Sequence, residues 1–304
     1  MNNGRSLRVA LLANAMFSSM SAGLMVFAPE LIGTLLGIQA SLILQIIGLG
    51  LGLFAVDLYL QAMRPRLATW RALYASAGDF LWVVATVLLR VCFPDVLSDS
   101  GNALVIFVAG AVLAFGVWQL WAVGHLYTLP TQDGYRLCLT VQTNAPASAM
   151  WRVISHLEAI QTYAPSLKQS LLLDGKTPGV GAVRMCENHA GKRWFEECIK
   201  FQPDRSLVLR FVTEAPDFPF PVHKMNGGWE ILPYESGSQI RVWWELMPKP
   251  QSLTTILLPL LALQVERDLP KIIQAMAAEA LGQPSTVTSP TATQAIARLL
   301  PTFC

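Results

Sequence analysis

Few residues in this chain are placed to do chemistry, and those few are scattered. Glu196 and Glu197 form an adjacent carboxylate pair in a strand-like stretch. Consecutive strand side chains face opposite ways, so one carboxylate points inward and the other outward. If Trp194, Glu196 and Cys198 face inward, Glu196 is an interior carboxylate whose pKa can rise. The other phase puts Phe195, Glu197 and Ile199 inside, and the sequence leaves both open. His125, His156, His189 and His223 are isolated, without a carboxylate or cysteine arrangement of catalytic spacing, and read as surface or interface histidines. The five cysteines, Cys92, Cys138, Cys186, Cys198 and Cys304, show no CxxC spacing and are odd in number. That pattern speaks against zinc and a disulfide framework, and for a reducing compartment. No P-loop, dinucleotide fingerprint or nucleophile elbow occurs. No catalytic residue, metal or cofactor is therefore expected.

The elements that must position these residues fall into two regions. Hydrophobic residues make up 53% of the 304, and charged residues only 14%, against roughly a quarter in ordinary domains. The deficit is uneven, since no lysine precedes Thr131. Apolar runs at 9–28, 41–63, 73–92 and 103–123 approach or exceed the ~20 residues of a membrane span. A cleaved signal peptide is the rival for the first run, but too few apolar residues precede its Ala-Asn-Ala triplet. Residues 1–128 thus read as a four-helix transmembrane domain in an inner, cell membrane. Arg5, Arg8, Arg64, Arg66 and Arg71 flank one side, and Asp95 and Asp99 the other. The positive-inside rule then places both termini and the remainder of the chain in the cytoplasm. Asp57 and Asp79 lie within the spans. Pairing with Arg64, Arg66 or Arg71 is the expectation, with a proton or ion role as the alternative. The first span, the FAPELIGTLLG stretch and GDFLWV loosely resemble uncharacterised bacterial four-helix membrane proteins, which implies no activity.

After a polar connector at 128–134, charge returns to ordinary density. Residues 135–143 alternate as a strand with one buried face. Asn144 is placed to cap a helix that carries Trp151, Ile154 and Leu157 on its apolar side. Strand-like runs follow at 167–173, 182–188, 193–201, 206–213, 222–232 and 239–247, the last two joined by a PYESGS hairpin. A helical run at 253–281 repeats apolar residues at steps of three and four, with Pro270 inside it. A bend just before Pro270 is expected. The order predicts an antiparallel meander gripped by the terminal helix. Residues 283–304 read as a loose tail with a short helix near 295–300.

The stretches NAPASAMWRVISHLEAIQTYAPSLK, GVGAV and GWEILPYESGSQIRVWWELMPKP, with the amphipathic helix, resemble the START-like, helix-grip (SRPBCC) superfamily over about 135–282. That superfamily includes polyketide cyclases, lipid-transfer domains and coenzyme Q-binding proteins. The resemblance implies an α+β domain whose curved antiparallel sheet encloses an apolar cavity against a long C-terminal helix. Candidate cavity residues are Trp151, Tyr163, Arg184, Glu196, Trp229, Trp243, Leu261, Val265, Leu269, Ile272 and Met276. Arg241 is a further residue that could line or gate the space. Phe218 and Phe220, in a proline-stiffened loop, either form a mouth or membrane contact or fold back under the sheet.

The expected partners are the lipid bilayer and an apolar small molecule: a lipid, an isoprenoid quinone or a polyketide. A net charge of +2 without a basic cluster gives no reason to expect nucleic acid. The leading expectation is a membrane-tethered binding module. The alternatives are a cyclase- or dehydratase-type enzyme with cavity acid–base residues, and a membrane-anchored assembly protein whose own side chains fill the cavity.

Overall fold

A computed structural model describes residues 4–173, 177–215, 218–283 and 295–300. The chain divides into two compact units, Met1–Leu126 and Tyr127–Cys304.

The first unit is helical: α1 (Gly4–Phe27), α2 (Pro29–Leu36), α3 (Ser41–Met63), α4 (Thr69–Cys92) and α5 (Asp99–Gly124). Proline stands in the first turn of α2, where its missing N–H costs nothing, and Gly37 closes that helix at φ 77°. Ser98 caps α5 by accepting from the Gly101 N–H at 3.0 Å. The four longer helices are each long and apolar enough to cross a membrane. Their side-chain distribution is inverted relative to a bundle in water. Met16, Leu42, Leu53, Leu81, Val91 and Phe107 point outward, while Asn14, Ser18, Gln61, Ser76, Asp79 and Gln119 are buried. Gly48 lets α1 and α3 approach, since a Cβ there would lie 2.8 Å from Met25 Cβ.

The two aspartates inside the long apolar helices have different partners. Asp57 faces Arg71 at 3.8 Å and accepts from Gln61, as expected of a paired residue. Asp79 has no arginine. It accepts from Asn14 Nδ2 at 3.1 and 2.9 Å and from Gln119 Nε2 at 2.9 Å. The arginine pairing expected for it fails because carboxamides from α1 and α5 reach it inside the bundle.

The second unit holds strands β1 (Thr128–Thr131), β2 (Gly134–Thr143), β3 (Leu167–Leu172), β4 (Val183–Asn188), β5 (Arg193–Gln202), β6 (Ser206–Phe211), β7 (Val222–Tyr234), β8 (Gly237–Pro248) and β9 (Ala297–Leu299). Two short helices, α6 (Ala147–Ile154) and α7 (Ile160–Tyr163), follow β2, and α8 (Thr254–Ala280) follows β8. All pairings are antiparallel, in the order β1-β2-β8-β7-β6-β5-β4-β3, with β9 also on β2. Tyr234 pairs with Gly237 across a two-residue turn, which Glu235 enters at φ 48°.

Several local expectations need correction. The connector at 128–134 contains β1, whose backbone pairs with β2 through a tight turn at Gly134. Asn144 does not cap α6; the N-cap is Pro146, and Asn144 Oδ1 instead accepts from the Ile296 N–H at 2.9 Å. The described part of the tail, 295–300, forms β9 on the free edge of β2 rather than a helix. The rest of the tail lies outside the described residues. Helix α8 holds both Pro259 and Pro270 within one helical span, and the bend expected before Pro270 is a matter of its axis that this span does not test. Cys92, Cys186 and Cys198 are free, but Cys138 is disulfide-bonded. An odd cysteine count excludes full pairing, not a single bridge.

Candidate functional site

A cavity of about 270 Å³ lies between the sheet and α8. Its wall draws on β2 (Leu137), β4 (Arg184), β5 (Trp194, Glu196), β6 (Leu209, Phe211), β7 (Met225, Gly227, Trp229) and β8 (Trp244, Leu246). In a flat sheet β2 and β4 would stand about 24 Å apart, five spacings of ~4.8 Å. Both line one space, so the sheet must curl around the helix.

Helix α8 serves two surfaces at once. Leu258, Ala262, Ile273, Met276 and Ala277 are buried, and the helix packs against β2, β9 and α6. Leu257, Leu261, Val265, Leu269 and Ile272 line the cavity. Steps of three and four that look like one stripe in the sequence therefore divide between packing and lining. Among the lining residues Ser166, Phe220, Pro221 and Gln264 are exposed, which marks the mouth.

The question of strand phase in β5 has an answer. Glu196 is 4% exposed and faces the cavity. Glu197 faces outward, where it pairs with Arg210 at 2.7 Å. Arg184 and Glu196 stand opposite each other on β4 and β5 and form a buried ion pair. Trp194 Nε1 donates to Glu196 Oε1 at 2.7 Å, and Arg184 Nη1 donates to the Leu157 carbonyl at 2.7 Å. The Arg184 Nε is buried without a partner. Burial alone would lower the Arg184 pKa, but Glu196 at its side, with Cys186 and Cys198 adding, turns the net direction upward. The wall is thus mostly apolar, with one buried ion pair and Ser166, Gln264 and Asp268 as further polar lining residues, Asp268 paired with Arg267.

Of the expected cavity residues, Arg184, Glu196, Trp229, Leu261, Val265, Leu269 and Ile272 come together in this space. Tyr163 and Met276 line a separate narrow cleft of about 10 Å³. Burial and a hydrogen bond to Glu279 push the Tyr163 phenol up. Trp151 packs on Phe201, ring centroids 5.2 Å apart, and does not reach the cavity. Trp243 is on the outer face, with the Arg136 guanidinium 4.7 Å from its ring centroid. Its neighbour Trp244 takes the inward position, because side chains alternate along β8. Arg241 pairs across strands with Glu230 at 2.8 Å and does not line the cavity.

The aromatic loop divides its two rings. Phe218 is half-buried and packs on Trp194, Phe211 and Cys186. Phe220 sits exposed at the rim, edge-on to Trp194 at 5.3 Å. Sequence reasoning missed Leu209, Phe211, Met225, Trp244 and Leu246, which read as ordinary strand residues. Only their inward phase distinguishes them, and that depends on the register of the whole sheet. Among the described residues no group of three His, Cys, Asp or Glu is placed to hold a metal.

Residues 136–280 match the family described as polyketide cyclase / dehydrase and lipid transport. No curated protein matches the chain. Solved structures that the chain matches include the protein XoxI from Bacillus cereus (19% identity, 46% of this chain and 94% of that one, TM-score 0.40). Norcoclaurine synthase from Thalictrum flavum matches at 16% identity over 52% of this chain and 97% of its own, TM-score 0.41. The Zhui aromatase/cyclase from Streptomyces sp. R1128 matches at 20% identity over 48% of this chain and 92% of its own, TM-score 0.38.

Proposed function

We propose that the domain over residues 136–280, which matches the polyketide cyclase / dehydrase and lipid transport family and has a helix-grip architecture, binds in its cavity an apolar small molecule delivered from a membrane. The observation that carries this reading is the unfilled space of about 270 Å³ with its apolar wall. Closing such a space around a hydrocarbon or aromatic ligand removes apolar surface from water at ~25 cal/mol per Å². A cavity filled by its own side chains would have favoured an assembly role instead.

The four-helix unit acts as the anchor. Its outward apolar residues and buried polar ones suit a lipid surround. Only three residues separate α5 from β1, so the binding domain is held beside any ligand dissolved in the bilayer, raising its local concentration. Arg5, Arg8, Arg64, Arg66 and Arg71 at one set of helix ends, against Arg90 at the other, favour a cytoplasmic domain. The paired Cys138 pulls the other way, since reducing compartments keep thiols free. Labelling of a Gln132→Cys variant by an impermeant reagent in intact cells distinguishes the two sides.

A cyclase- or dehydratase-type reaction is the second reading, and the charged pair on the cavity wall is what favours it. The geometry suits binding better. Glu196 accepts from Arg184 and from Trp194, and Asp268, the other carboxylate of the lining, accepts from Arg267, so both are held as ion-pair members, which favours binding over acid–base work. The test is native mass spectrometry of the full chain released from lipid nanodiscs. A retained organic mass that Val265→Trp removes is the expected outcome. An empty wild-type domain across lipid and quinone extracts would overturn the proposal.

A further inference from the structure

Asp79, inside the four-helix unit, plays no part in the cavity. We propose that this unit holds a small monovalent cation of the sodium class at Asp79, liganded by oxygens from α1, α4 and α5.

Asp79 is 4% exposed, and its carboxylate accepts only from neutral donors, Asn14 Nδ2 and Gln119 Nε2. A shell made of N–H donors suits the ionised form, which is acceptor-only. Yet Asp79 makes no ion pair among the described residues. Arg8 donates instead to the carbonyls of Ala62 and Pro65, and Arg71 faces Asp57. A buried carboxylate without a countercharge is costly, and more so in a lipid surround.

A second observation marks what is missing. Gln119 is fully buried, and its Oε1 has no partner, although its Nε2 is bonded to Asp79. An acceptor without a donor and an anion without a countercharge thus sit on adjacent groups. A cation satisfies both. Asn14 Oδ1, which accepts from Ser18 at 3.1 Å, lies on the third helix of the cluster. Gly116 lets α5 come this close, since a Cβ there would stand 3.1 Å from Asp79 Cβ.

The donor set selects the class of ion. Oxygen ligands alone suit hard cations rather than soft metals. One carboxylate balances a single charge, and among the described residues no second carboxylate, histidine or cysteine joins it as a metal-binding group.

The inference needs the membrane reading only for the low dielectric, and fractionation of the full chain tests that reading separately. The experiment is thermal unfolding of the full chain in nanodiscs, with sodium chloride replaced by choline chloride at constant ionic strength. Wild type should show a saturable rise of several degrees with sodium. Asp79→Asn should abolish it, and Gln119→Met should move its half-saturation at least tenfold higher. If Asp79→Asn does not fold, sodium-23 line broadening by the wild type, weakened by Gln119→Met, reads the same site. No sodium dependence in the wild type would overturn the proposal. So would an equal rise in Asp79→Asn, or a dependence on pH alone, which would make a proton the countercharge.

Discussion

Replacing Glu196 by glutamine tests whether the wall of the cavity is built as an internally neutralised pair. Arg184 and Glu196 have side chains only 9% and 5% exposed. Removing one member of such a pair costs about 3–5 kcal/mol, because the remaining charge stays buried without compensation. Glutamine keeps an oxygen for Trp194 Nε1, and Arg184 retains the Leu157 carbonyl. The lower end, about 3 kcal/mol, therefore applies to Glu196→Gln. For a unit of this size that corresponds to a fall of about 6–12 °C in Tm. Differential scanning fluorimetry on the full chain reads it through the tryptophans of the domain. Adding Arg184→Met removes the orphaned charge, so the double variant should recover most of the loss. A fall of less than about 3 °C, or a double variant whose loss is the sum of both singles, would refute the reasoning.

Further outcomes follow from the same geometry. Gly228→Ala would place a Cβ 2.2 Å from Trp243 Cε2 on the outer face, so the indole or the strand must shift. The expected cost is about 1–3 kcal/mol by denaturant melt, and an unchanged midpoint would show that the sheet yields freely there. Burial pushes the Cys186 thiol up to about 12, with Glu196 adding to the shift. Since only the thiolate reacts, alkylation of Cys186 at pH 8 should run on the order of a thousandfold slower than in denatured protein. Its rate should still rise about tenfold per pH unit at pH 10, where an ordinary thiol has levelled off. Peptide-resolved mass spectrometry follows this, and labelling at the denatured rate would contradict it.

Much of the fold was legible because it rests on periodicity. Strands β3 to β8 alternate, α8 repeats at three and four, and the turns carry glycine, proline or asparagine. What escaped had no local signal. β1 is four residues with a proline, and β9 is three; both are strands only because β2 offers them an edge. The Glu196 phase could not be decided locally, since Trp194 and Phe195 are equally plausible core residues. Trp243 and Trp244 pose the same ambiguity, and the register with β7 puts the second inside. The partners of Asp79 carry no local signal either, since Asn14 and Gln119 are 65 and 40 residues away while the arginines lie near in sequence.

The space under α8 is proposed to receive an apolar ligand. Trp194, Trp229 and Trp244 line it, so their emission reports its occupancy directly. The most direct measurement is a fluorescence titration of the full chain with a short-chain isoprenoid quinone, a fatty acid and an aromatic polyketide. Saturable quenching by at least one of them is expected, abolished by Val265→Trp while the fold is retained. Absence of saturable quenching by all three, or quenching that persists in Val265→Trp, would contradict it.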